Sequence, residues 1–200
     1  MTTRPFHHGN LRAVLLEQAE GMLRTVGSDG LSLRELARQA GVSHGAPRSH
    51  FIDRQALLDA LAEQGFDRLT RAVRSAVDGA ESARVGFDRV AQAYVDFAIE
   101  DASLMELMFA AKTSARTGPV QDAAGRLFGA LDEAMGASAV AESDDGARDT
   151  FKMLFGATMQ GIAALVASGR IARAQGDVLV DEAMQMLLDS ALGLRVVDRR

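Results

Sequence analysis

The chain contains no cysteine. That excludes disulfides, thiolate nucleophiles and thiolate metal sites. The first ten residues, MTTRPFHHGN, have no apolar core of the kind a secretory signal carries, and no apolar run approaches the ~18 residues of a membrane span, so a cytoplasmic location is expected. There is no H-E-x-x-H, no phosphate-binding Walker loop and no G-x-S-x-G elbow. His7 and His8 have no carboxylate set nearby. Neither an enzyme activity nor a cofactor or metal is expected. No basic amphipathic face stands out, so no membrane-surface helix is expected either. Strand alternation and internal repeats are also missing.

What remains is a 200-residue chain, 48% hydrophobic and 24% charged, which is ordinary for a globular protein with a sizeable core. Its net charge of −5 argues against a nucleic-acid partner, but the charge is unevenly placed. Residues 1–65 hold seven Arg, seven Asp/Glu and all four His; the remaining 15 Lys/Arg and 20 Asp/Glu lie in residues 66–200. The whole excess of acid therefore belongs to the second part.

Residues 1–9 read as an arm in which Arg4, His7 and His8 can touch phosphate. Asn10 is a suitable cap for a helix carrying Leu11, Val14, Leu15, Met22 and Leu23 on one face, ending in the turn-rich Gly27-Ser28-Asp29-Gly30. Ser32 and Glu35 form an S-x-x-E capping box, so a second helix starts at Ser32, with Leu33, Leu36, Ala37 and Ala40 as its buried stripe. Gly41 supplies the positive φ that ends it, Val42 fills the corner, and Ser43 caps a third helix over about 44–51. That helix contains Pro47, tolerated within the first turn, and Gly45, which leaves the backbone bare where it can approach another surface closely. Asp53 caps a long helix carrying Leu57, Leu58, Leu61 and Phe66, and residues 79–82 mark a break. Everything beyond reads as helix, with a turn at Gly118-Pro119, a polar loop at 142–146 and two long closing stripes over 151–169 and 178–194. The expected fold is all-α: an N-terminal three-helix head with a helix-turn-helix, and a C-terminal helical domain.

Several motifs carry a resemblance in register. They are His8-Gly9-Asn10-Leu11-Arg12, Gly30-Leu31-Ser32-Leu33-Arg34-Glu35-Leu36-Ala37, Gly41-Val42-Ser43, and His50-Phe51-x-x-Arg54-x-x-Leu57-Leu58. Over residues 8–66 the chain resembles the DNA-binding domain of the TetR family of one-component regulators. Residues 94–109 resemble the subgroup with a WHG-type C-terminal domain, although its Trp and His are absent and Met159-Gln160-Gly161 stands near their place. Most members have Tyr where this chain has Arg48, and Lys where it has Arg54.

The resemblance implies a ligand-responsive, DNA-binding transcription regulator. It would be a homodimeric repressor, released from a palindromic double-stranded DNA operator by a small apolar effector. Residues 1–53 would form the head, helix 54–79 the connection, and 80–200 the effector and dimer domain. In the head, Ser32 and Ser43 at helix starts, with His50 and Arg54, would meet phosphate; His44, Gly45, Ala46 and Arg48 would face base edges. Arg34 would reach a guanine or a phosphate, and Arg48 can bind phosphate or fork onto guanine.

One helix-turn-helix reads only a few base pairs, so two copies on a two-fold axis are needed. The closing helices, apolar on more than one face, would pair through Phe151, Leu154, Ile162, Leu165, Met184, Leu187 and Ala191 into a four-helix bundle. An effector would meet Phe87, Tyr94, Phe97, Met105, Met108, Phe109, Phe128, Phe155 and Met159, with the Tyr94 hydroxyl and the Gln160 amide as polar handles. The alternative is a helical dimer that binds ligand or protein partners and has lost DNA binding, which Arg48 and the acidic balance support.

Overall fold

The structure is a computed structural model that describes residues 11–114, 118–136 and 146–197. The expected arm with Arg4, His7 and His8, the cap Asn10 and positions 142–145 of the polar loop lie outside the described residues. Among the described residues there are nine α-helices, one 3-10 turn and no strand. They divide into two compact units, one of residues 1–65 and 103–120, the other of 66–102 and 121–200.

In the first unit, α1 (Leu11–Val26) buries Leu15, Leu16, Ala19, Met22 and Leu23. It ends at Gly27, where φ is 68° and the Leu23 carbonyl accepts the Gly27 N–H. α2 (Leu33–Gln39) starts at Ser32, whose extended backbone lets its Oγ accept the Glu35 N–H at 3.2 Å. Only half of the expected capping box forms, because the Glu35 carboxylate turns to Arg38 and Gln39 instead. Gly41 at φ 66° lets the Val42 N–H reach back to the Ala37 carbonyl, closing the helix as expected.

The third helix departs from expectation. Residues 44–46 are turns and only Pro47–Ser49 form a 3-10 turn, without a side-chain cap from Ser43. Pro47 has no N–H to give the Ser43 carbonyl, so the i→i+4 ladder cannot start there. The bonds that form up to His50 are of the shorter type, Ala46 N–H to Ser43 O, Arg48 N–H to Gly45 O and His50 N–H to Pro47 O, and only Phe51 N–H reaches four residues back, to Pro47 O. Phe51, 2% exposed, then anchors the segment, with Arg12 5.5 Å over its ring.

α3 (Arg54–Val77) is capped by Asp53, whose Oδ1 accepts the Ala56 N–H at 2.8 Å, and buries Leu57, Leu58, Leu61, Phe66, Leu69 and Val73. α5 (Ala102–Ser114) lies against it at Gly65, where a Cβ would stand 2.6 Å from Met108 Sδ. That approach requires glycine.

In the second unit, α4 (Ala83–Glu100), α7 (Ala147–Ala167) and α8 (Arg173–Asp189) pack mutually; α6 (Pro119–Ala134) and the short α9 (Gly193–Val196) complete it. Phe87 meets Phe155 at 5.0 Å and Phe151 at 5.6 Å, both edge-on, and Tyr94 meets Phe155 at 5.8 Å. Burying each such ring stabilises the core by about 1.5–3 kcal/mol. The last stripe does not run on to residue 194. It stops at Ser190, whose Oγ accepts the Gly193 N–H, and Gly193 lies so close to the Leu187 carbonyl that no side chain fits. Ala191, expected on the dimer helix, therefore sits in a turn.

α7 is long and apolar enough to cross a membrane by length and composition, contrary to the expectation that no run is. It is also the helix that both α4 and α8 pack on. One of its inward positions, Lys152, is a cation 6% exposed and ion-paired at 2.8 Å with both Asp132 and Asp149.

Candidate nucleic-acid interface

The α2–Gly41–Phe51 segment holds its cations in two different ways. Arg38 is bonded to the Glu35 carboxylate at 2.5 and 2.8 Å, which, with Gln39, pushes the Glu35 carboxyl down to about 2. Arg54 is turned inward. Its Nε donates to the Leu31 carbonyl at 2.8 Å and its Nη2 to the Ser28 carbonyl at 2.5 Å, tying the α1–α2 loop to the start of α3. The residue expected at phosphate is thus a clamp on the loop. Arg34 and Arg48 are different: both are exposed, and among the described residues neither guanidinium makes a hydrogen bond or ion pair.

The other expected contact residues sit around these two. Ser43, His44, Gly45 and His50 are exposed and Ala46 is half-buried. A Cβ on Gly45 would meet nothing within 4 Å, so its backbone is bare to solvent. Ser32 Oγ is already an acceptor in its cap, which leaves its O–H to donate. The surface therefore offers two free guanidinium forks, two imidazoles, hydroxyls and naked backbone: groups suited to phosphate oxygens and base edges.

Of the nine expected effector residues, Met105, Met108 and Phe109 belong to the first unit and the other six to the second. Phe87, Tyr94 and Phe155 form one aromatic cluster, and Met159 is buried on α7. Phe97 instead lies under Arg68 at 5.2 Å, and Phe128 faces Lys152 Nζ at 5.6 Å. Met105 and Met108 are core of the first unit, and Phe109 is 38% exposed on α5. Helical periodicity marks all of these as inward-facing but cannot say toward which neighbour. The two handles do meet: Tyr94 Oη donates to Gln160 Oε1 at 3.4 Å. A surface cleft of about 400 Å³ in the second unit is lined by other residues, among them Ser82, Arg84, Asp189 and Leu194.

Of the expected dimer residues, Phe151, Ile162 and Met184 are buried within the protomer, at 0, 7 and 1% exposure, and so cannot meet a partner. Leu154 is exposed, and Leu165 and Leu187 are half-buried. The outward apolar side chains that sequence reading passed over are Val178, Leu179 and Met186, joined by Met153. Their signal was present as apolar residues lying between the inward-facing ones of the same helix.

The sequence profile described as "Bacterial regulatory proteins, tetR family" matches residues 15–61, and "Tetracyclin repressor-like, C-terminal domain" matches residues 87–191. No curated protein matches the chain. Among solved structures, a protein with unknown function from Rhodococcus sp. RHA1 is 41% identical, with 92% of this chain and 97% of that one covered and a TM-score of 0.78. A TetR family transcription regulator from Marinobacter aquaeolei VT8 is 16% identical, covering 87% and 93%, with a TM-score of 0.67. The transcriptional regulator FadR from Bacillus subtilis, solved in complex with stearoyl-CoA, is 11% identical, covering 89% and 98%, also with a TM-score of 0.67. A head built on a glycine-terminated helix-turn, a helical body, and a profile covering more than half of the chain lead to one conclusion: this chain belongs to the TetR family of DNA-binding transcriptional regulators.

Proposed function

We propose that this protein is a cytoplasmic, homodimeric repressor that leaves a palindromic operator when a small apolar effector binds its second unit. One observation carries the DNA half of this reading: Arg34 and Arg48, either side of the Gly41 turn, are exposed and unengaged among the described residues. Arg38 and Arg54 beside them are taken up by protein partners. A guanidinium without a protein carboxylate is free to take a phosphate or a guanine edge.

The dimer half is supported by Met153 and Leu154 on α7 and Val178, Leu179 and Met186 on α8, all exposed. Ala157, Gly161 and Ala164 are also exposed on α7, so both helices leave apolar residues to water, as a face that a partner covers would. The apolar effector is supported by the Phe87, Phe155 and Tyr94 cluster. The rival, a helical dimer without DNA binding, draws on the reading element being a three-residue 3-10 turn.

A gel shift with the DNA flanking its own gene, repeated over a range of salt, separates the two. Repressor-type binding weakens steeply with salt. Arg34→Ala with Arg48→Ala should cost about 1–3 kcal/mol for each arginine that reads a base. Wild-type affinity in the double variant would sink the assignment.

A further inference from the structure

Two neutral polar groups face each other at the edge of the aromatic cluster of the second unit. Tyr94 is 4% exposed, and burial raises the pKa of its hydroxyl, so the proton stays on oxygen. The bond it makes with that proton, to Gln160 Oε1, is 3.4 Å long, far from the 2.7–2.8 Å usual for a hydroxyl donor. Among the described residues it is the only partner of that hydroxyl. A buried donor held this loosely is close to unsatisfied, and a better-placed acceptor is favoured over the one it has. Gln160 is half-buried, so its amide can swing toward solvent where Tyr94 cannot.

The body of the site is apolar. Tyr94 packs edge-on to Phe155, and Phe155 to Phe87, while Met159 precedes Gln160 on α7. The cations near this end of α4 are engaged: Arg68 with Asp101 at 2.5 Å, and Arg173 with Asp96 and Asp177. A carboxylate brought here would be desolvated beside aromatic rings, which is costly.

We propose that the Tyr94–Gln160 pair is the polar end of the effector site, and that the effector is a neutral, mainly apolar molecule with one carbonyl-type oxygen. That oxygen displaces Gln160 Oε1 and accepts the Tyr94 proton, while the apolar part lies against the Phe155 side of the cluster. Admission of the ligand breaks one long hydrogen bond. This inference rests on the ligand-responsive reading given above.

Three probes of one size test it: acetophenone, α-methylstyrene, in which a methylene replaces the carbonyl oxygen, and benzoate. Their dissociation constants are measured by calorimetry and thermal shift on the full chain. Wild type should prefer acetophenone to α-methylstyrene by about five- to tenfold, the worth of one buried hydrogen bond, and bind benzoate more weakly than either. Tyr94→Phe should abolish the preference while leaving α-methylstyrene within about twofold of wild type. Gln160→Leu, which frees the Tyr94 hydroxyl, should keep or widen the preference; a purely structural role for the pair would make both variants lose affinity for every probe alike. Equal binding of acetophenone and α-methylstyrene, or a preference that survives Tyr94→Phe, overturns the inference alone. If no apolar compound stabilises wild type or releases its DNA, the ligand-responsive reading falls and the inference falls with it.

Discussion

The two units spend their positive charge differently. In the second, Arg68, Arg74, Arg84, Arg126, Arg148, Lys152 and Arg173 each reach an Asp or Glu of the same unit. In the first, Arg38 and Arg24 pair within their own helices, Arg54 holds loop carbonyls, and Arg34 and Arg48 hold nothing among the described residues. Net charge hides this, since residues 1–65 are formally neutral. A surface presents positive potential through cations that its own carboxylates have not claimed; Arg34 and Arg48 are two of these on the reading segment, and Arg71, Arg89 and Arg170 of the second unit are exposed and also without an ion pair among the described residues. An acidic protein can bind DNA when its acid is committed to its own arginines elsewhere.

If the cations of the second unit are structural, removing their carboxylates should hurt folding. The largest effect is expected at Asp132. It bonds Lys152 Nζ at 2.8 Å and Arg148 Nε at 3.2 Å, while Arg148 also donates to the carbonyls of Asp132, Gly136 and Val196. Lys152 is almost fully buried, so Asp132→Ala leaves a cation in the core with only the exposed Asp149 to answer it. Breaking a fully buried pair costs about 3–5 kcal/mol; the surviving partner reduces that to about 2–3 kcal/mol. Denaturant unfolding with an unchanged m-value checks it. A loss below about 1 kcal/mol would mean that Lys152 escapes to water, and the contrast between the units would weaken.

The next largest effect sharpens the contrast inside the first unit. Arg54→Ala removes two hydrogen bonds from a charged donor to loop carbonyls and should lower stability by about 1–2 kcal/mol. Arg34→Ala and Arg48→Ala should each leave stability within about 0.5 kcal/mol, as exposed side chains without partners do. On DNA the order reverses for any phosphate contact: the salt slope of binding should fall by about one for each of Arg34 or Arg48 that neutralises a phosphate. A stability loss at Arg48 equal to that at Arg54 would show that the two are not held differently.

The helices, the Ser32 cap and the Gly41 terminator were readable in the chain because each depends on residues within four positions. The third helix was not, because the missing Pro47 N–H decides in favour of shorter-range bonds, a competition that periodicity does not register. Site residues separate along the same line. The cations of the head were recognisable as a set, but whether one is free depends on tertiary partners such as Leu31 O and Ser28 O for Arg54, which lie more than 20 residues away. The apolar residues of the second unit were recognisable as inward or outward. Phe128 facing Lys152, or Phe97 beneath Arg68, depends on which helix is the neighbour, and a single amphipathic stripe carries no such information.

The smallest expected effect concerns Asp88 on α4. Arg84 bonds Asp189 at 2.7 Å, and Gln92 donates to Asp181 at 3.1 Å. Asp88, between them in sequence, is raised above its ordinary 3.8 by burial first, with repulsion from Asp181 adding to it and Arg84 opposing. A carboxyl whose folded pKa is raised is better tolerated protonated. Its contribution is favourable below the unfolded pKa and is lost as pH rises through the folded one. Asp149, lowered by its hydrogen bond to Lys152, behaves oppositely and loses its contribution on acidification. Asp88→Asn should therefore raise the melting temperature slightly at pH 7, and the gain should vanish below about pH 4, where wild-type Asp88 is itself neutral. A gain that persists undiminished at pH 3.5 would mean that asparagine packs better there rather than that an unmatched charge was removed.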